Sequence, residues 1–183
     1  MADVEAKWFS FMPGDIVLCA TGNEWGIFKP LFKWLVGEFG HAMLYVFEKD
    51  GMPYFVEARP KKGVSIVGGG NYRGTHIKIL RLKDDAPYYG VLAASDAKER
   101  AFDPDTLYGF ADIVSCVVKL FSQKLGKPIK AWRPNKWVIC SELVWECYGM
   151  AGIDLDVGPG IPLPADFATC PQFESIFEGE LVV

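Results

Sequence analysis

An α+β fold is what this sequence predicts: a small antiparallel β-sheet or barrel packed against helices. Short strand-like runs separated by turn dipeptides occupy residues 13 to 82, and from Tyr89 onward apolar residues recur at helical spacing. Half of the 183 residues are hydrophobic and 14% are aromatic, enough to bury one sizeable core. No internal repeat or shift in composition divides the chain. Residues 1–183 therefore read as a single domain, with a helical segment at about 89–125 between the early strands and a last helix.

Pro13-Gly14 is a turn signal, and Asp15 to Cys19 follow as a short buried strand. From Trp25 to Phe39 the residues Phe28, Leu31, Phe32, Leu35 and Phe39 recur with helical period, and Pro30 suits a first turn. This amphipathic helix packs on the core or, alternatively, forms a lid over an apolar groove. A hairpin comes next, with strands from Gly40 to Phe47 and from Tyr54 to Ala58 around Lys49-Asp50-Gly51. A two-residue Asp50-Gly51 turn sets Leu44 opposite Glu57 and sends Glu57 to the face away from His41. A three-residue loop, or an equivalent bulge, sets Met43 opposite Glu57 and puts His41 and Glu57 on one face, roughly 7 Å apart between Cα atoms.

Gly63 to Val67 and Thr75 to Leu82 are further strands, separated by a flexible loop at Gly68-Gly69-Gly70-Asn71. Tyr89 to Phe102 is a helix with Asp96 to Arg100 on its solvated side. A second helix, Asp105 to Leu125, carries Leu107, Phe110, Val114, Val117 and Phe121 on a buried face, with Asp103 or Asp105 as its cap. A linker with Gly126, Pro128 and Pro134 leads to a helix that starts at Cys140 and ends near Met150, with Gly152 as its stop. The tail from Gly158 to Pro164 is extended and precedes a short turn at Ala165-Asp166-Phe167.

Several functional classes are excluded at this level. A net charge of −4 provides no basic footprint for nucleic acid. The most apolar window, Leu107 to Leu125, contains Asp112, Lys119 and Lys124, so no membrane span is expected. Five cysteines without CxxC spacing indicate neither a disulfide framework nor a zinc cage. The N-terminus lacks an apolar signal run, which makes the cytoplasm the expected location, with later release by lysis or another route left open.

The candidate chemistry centres on Cys140, where the extended run Trp137-Val138-Ile139 meets a helix. A thiol in the first helical turn feels unpaired N–H groups and the positive end of the helix dipole, both of which favour thiolate. With a histidine base and an orienting carboxylate, it becomes a nucleophile toward carbonyl carbon. The alternative is a buried structural cysteine, the reading given to Cys147, Cys19 and Cys116; Cys170 lies in an exposed loop. The chain has only two histidines. His76 alternates with Ile77 on the side of Lys78, a solvated face, so His41 is the candidate base. Glu57, between Val56 and Ala58, is the candidate carboxylate; otherwise it is a surface residue paired with Arg59 or a lysine.

Taken together, Gly14-Asp15-Ile16-Val17-Leu18, Gly40-His41-Ala42-Met43, Val56-Glu57-Ala58 and Cys140-Ser141-Glu142-Leu143-Val144 resemble the circularly permuted branch of the NlpC-like papain-fold cysteine hydrolases. The likeness is to YiiX/YebB-like proteins and, more distantly, to lecithin:retinol acyltransferase-like enzymes. It covers roughly residues 12 to 167. Ile139 stands where the retinol acyltransferase group has asparagine. The resemblance implies a permuted papain-like fold in which Cys140 is the nucleophile, His41 the general base and acid, and Glu57 the group that orients the imidazole. It implies cleavage of an amide or ester in a peptidoglycan peptide or a lipid-like acyl substrate, with acyl transfer as a variant, and calls for no metal or organic cofactor. A non-catalytic binding module that keeps the fold is the reading from another class.

Overall fold

The structure, a computed structural model, describes residues 10–20, 37–59, 62–83, 87–103, 138–158 and 162–183. Its centre is a six-stranded antiparallel sheet in the order β4-β3-β2-β1-β5-β6. The strands are β1 (Ile16–Ala20), β2 (Phe39–Lys49), β3 (Met52–Arg59), β4 (Gly63–Gly68), β5 (His76–Leu82) and β6 (Phe173–Glu180). Three helices are described: α1 (Pro87–Phe102), α2 (Cys140–Met150) and the single turn α3 (Pro164–Phe167). The α+β class is as expected. Among the described residues no helix is long and apolar enough to cross a membrane.

Both faces of the sheet are buried, which is why its central strands read as continuous apolar runs rather than alternating ones. On one face Ile16, Leu18, Leu44, Val56 and Leu80 pack against Ala93, Ala94 and Ala97 of α1 and Leu143, Val144 and Cys147 of α2. The small residues of α1 let its backbone lie close to its neighbours. On the other face Val17, Cys19, Met43, Tyr45, Phe55, Ile77 and Ile79 form a second cluster with Tyr72 and Leu181.

The turn before β1 anchors this arrangement. Gly14 has φ +95°, and a Cβ there would lie 2.4 Å from Cα of Gly90 in α1, so only glycine fits. The hydroxyl of Tyr148 in α2 donates to the Gly14 carbonyl at 2.7 Å. Asp15 is buried and held by Arg81 at 2.8 and 2.7 Å, while its carboxylate accepts the Met12 N–H at 2.8 Å. The Gly14-Asp15 pair therefore joins both long helices to the sheet.

Several expectations need correction. Phe39 belongs to β2, not to a helix; the proposed helical stretch before it, 25–36, lies outside the described residues, as do the helix 105–125 with Cys116 and the linker at 126–137. The glycines after β4 form a 3₁₀ turn, Gly69–Tyr72, rather than a flexible loop. A Cβ on Gly69 would sit 2.8 Å from the Pro53 ring, so glycine serves close packing here. Asp96 and Arg100 are half-buried, because Arg100 donates to Asp96 at 2.8 Å and to Glu146 of α2 at 2.6 Å, tying the two helices together.

Cys170 is buried, and its thiol donates to Gln172 Oε1 at 2.9 Å. Strand β6 was not anticipated. It pairs with β5 through a bulge between Ile79 and Leu80, which breaks the simple alternation, and it bears Glu174, Glu178 and Glu180 as an edge strand does. The remaining strand and helix boundaries agree closely with expectation. In particular, α2 begins at Cys140 after an extended Ile139 (φ −86°, ψ 166°), and Gly152 follows it at φ +92°. Of the expected extended tail, 159–161 lie outside the described residues, and Pro164 already belongs to α3.

Candidate active site

The hairpin β2–β3 decides whether His41 and Glu57 can meet. Its turn is the two-residue Asp50-Gly51, both with positive φ (53° and 75°), closing on the pair Lys49–Met52. Of the turns that the sequence left open this is the two-residue one, for which Asp-Gly is a favoured pair. The functional register survives through a bulge. Phe47 pairs with Tyr54, but Tyr45 pairs with Phe55 and Leu44 with Val56, so Val46 is the extra residue. Continued by one step, the register sets Met43 opposite Glu57 and turns Glu57 to the face of His41.

The two side chains touch. His41 Nε2 lies 2.6 Å from Glu57 Oε2, with Glu57 2% exposed and the imidazole 19% exposed. Two further donors converge on that oxygen. Arg59 Nε donates at 3.0 Å, and the Tyr72 hydroxyl also donates to it. Arg59 Nη2 donates in turn to the Tyr72 oxygen at 2.8 Å. The Tyr72 ring stacks near the His41 ring, with centroids 6.3 Å apart and planes 11° from parallel.

Cys140 closes the arrangement from the helix side. Its sulfur shares a hydrogen bond with the His41 side chain and receives backbone N–H bonds from Ala42 and Ser141. Ser141 N–H belongs to the first turn of α2, where such donors have no partner within the helix. With Nε2 committed to Glu57, Nδ1 is the nitrogen left for the sulfur. An ionised carboxylate only accepts, so the hydrogen-bond network assigns the proton on Nε2 and leaves Nδ1 to exchange a proton with Cys140.

The electrostatics follow from these contacts. Burial alone would depress His41, but the charge and hydrogen bond of Cys140, and then those of Glu57, outweigh it and raise the imidazole from 6.5 to about 9. Burial likewise pushes the Cys140 thiol up, yet the His41 charge and hydrogen bond and the two backbone donors bring it below its ordinary value. Glu57 also stays below the usual carboxylate range. There too burial opposes the charge, and His41, Tyr72 and Arg59 overcome it. Both shifts run toward a thiolate–imidazolium pair backed by a carboxylate.

All three expected residues are therefore brought together. His76 is exposed as anticipated and lies 3.4 Å from Glu178. Cys19 and Cys147 are core residues, also as anticipated. Arg59, considered only as a surface partner for Glu57, serves alongside His41 rather than instead of it. Tyr72 was not anticipated; the signal available was an aromatic residue ending a glycine run, and only the turn of the chain shows what it reaches. No protein-family model matches this sequence, and no curated protein does either.

Proposed function

We propose that this protein is a cysteine hydrolase that cleaves an amide or ester through an acyl-enzyme on Cys140. The observation that carries the reading is a single imidazole, His41, hydrogen-bonded to a buried carboxylate on one side and to a helix-start thiol on the other. The fold reading that accompanies it is the permuted papain-like arrangement, in which sheet-borne histidine and glutamate precede the helical cysteine in the chain.

In this mechanism the Cys140 thiolate forms a bond to the carbonyl carbon as the C=O electron pair moves to oxygen. Unpaired N–H groups at the start of α2, including that of Cys140, stabilise the oxyanion. Collapse breaks the C–N or C–O bond, and the leaving group takes the proton from Nδ1 of His41. Water then gives a proton to Nδ1 as it attacks the thioester, and the second collapse returns the thiolate. Glu57 keeps the imidazole oriented throughout, in the role of the third member of a triad.

The substrate class proposed is a cell-wall peptide or a lipid-like acyl compound. The test is turnover of a panel of muropeptides and lipid esters, with intact-mass detection of the acyl-enzyme. A covalent adduct on the wild type that is absent from Cys140→Ala supports the proposal. A panel turned over equally by both proteins, or no adduct and no turnover with any member, contradicts it.

A further inference from the structure

The geometry points to Tyr72 and Arg59 as positioning residues that fix Glu57, and through it the His41 ring, by a directed chain of hydrogen bonds. The direction follows from donor chemistry. A guanidinium has donors only, so the Arg59 Nη2 contact at 2.8 Å makes the Tyr72 oxygen an acceptor and leaves the Tyr72 proton for Glu57. Arg59 Nε occupies Glu57 Oε2 as well, at 3.0 Å. Three donors on one oxygen, from β2, β3 and the turn after β4, leave the carboxylate a single orientation, the one that meets Nε2.

Arg59 lies over the Tyr72 ring, 5.3 Å from its centroid, while that ring also flanks His41. Tyr72 is almost fully buried, whereas the Arg59 side chain is 44% exposed. The tyrosine thus carries the inner bond and the arginine holds it from the solvent side. Burial, followed by the charge and hydrogen bond of Glu57, raises the Tyr72 phenol, so it stays a donor across the working range. The titratable groups facing this cluster are His41 from β2 with Cys140 of α2 behind it, Arg59 on the same strand as Glu57, and Cys19 of β1 beside Tyr72.

The catalytic consequence rests on the hydrolase reading above, but the positioning itself does not. The test is carboxyl-carbon NMR titration of Glu57 in the full chain, compared among wild type, Tyr72→Phe and Arg59→Gln. Tyr72→Phe keeps the ring beside His41 and removes only the hydroxyl. Loss of one donor to the charged form moves the Glu57 midpoint up by about one pH unit, a tenfold change in proton affinity. The His41 Nε2 proton exchanges with water about tenfold faster, because its acceptor is no longer held. A Glu57 midpoint unchanged in both folded variants overturns the inference. A midpoint that moves in a protein that forms no acyl-enzyme upholds the positioning and removes the hydrolase reading alone.

Discussion

Cys140 and Cys147 carry the same side chain two turns apart on the same helix, and the fold drives their acidities in opposite directions. Burial raises both thiols. At Cys140 the next influences are the His41 charge and hydrogen bond and the N–H groups of Ala42 and Ser141, which reverse the shift. At Cys147 the next influence is Asp96, whose negative charge adds to the burial, and Arg100 opposes it only in part. Helix position alone supplies some of the difference, since only the first turn has N–H groups to offer. The larger part comes from which strand or helix faces each sulfur: β2 with a cation, or α1 with an anion.

If that account is right, His41→Ala should erase most of the contrast. With its cation gone, burial dominates at Cys140, and alkylation by iodoacetamide at about pH 6.5 should slow on the order of 100-fold, toward the Cys147 rate. Peptide mapping of the labelled protein reads both sites at once. A rate at Cys140 within a factor of about two of wild type would show that the helix start, not the histidine, makes the thiolate.

Gly14→Ala approaches the contrast from the other side. The added Cβ meets Gly90 of α1 at 2.4 Å in a left-handed backbone, so a cost of about 2 kcal/mol or more is expected in denaturant unfolding. Loosening α1 from the sheet also exposes Cys147, whose shield includes Ala93, Ala94 and Ala97. Cys147 labelling should therefore rise while Cys140 labelling changes little. Equal rises at both cysteines would mean that the helices open as one unit.

Glu57→Gln tests the charge behind His41 and should have the mildest effect. The imidazole loses the lesser of its two raising influences, since Cys140 outranks Glu57, so its midpoint falls only part of the way from about 9, read by NMR of the ring carbons. The signs can be worked out for stability as well. The raised His41 contributes stability that is complete below 6.5 and is lost as pH rises through about 9. The lowered Cys140 contributes stability present above 9.0 and lost as pH falls through its folded midpoint. Above the folded Cys140 midpoint, and between 6.5 and about 9, the folded pair holds one proton on His41 and the unfolded pair holds one on Cys140, so the two slopes cancel. In that interval the pair gives stability almost no pH dependence, so reactivity is the property to measure.

The sequence disclosed the strands and the cysteine helix because each carries a local signal: apolar runs bounded by turns, and an extended segment ending at Cys140. It disclosed His41 and Glu57 as candidates but left their meeting open, because one inserted residue reverses the face of every side chain beyond it. The bulge at Val46 has no signature in the residues around it; packing of Tyr45 and Phe55 on one face and Leu44 and Val56 on the other decides it. Tyr72 was hidden for a related reason. Its partners are Arg59 and Glu57, thirteen and fifteen residues earlier, and a glycine run reads as freedom until Pro53 is found against it. Strand β6 escaped because an edge strand that itself carries the bulge, with Ile176 as the extra residue, shows neither a clean period nor an unbroken apolar run.

The most direct measurement is the pH dependence of alkylation at each cysteine of the native wild-type protein, mapped by mass spectrometry. Cys140 should react selectively already below about pH 7, while Cys147, buried against Asp96, stays unlabelled until the protein unfolds. Slow labelling of Cys140 that rises only near the ordinary thiol range, in step with any other accessible cysteine, would contradict the ion pair and the hydrolase proposal built on it.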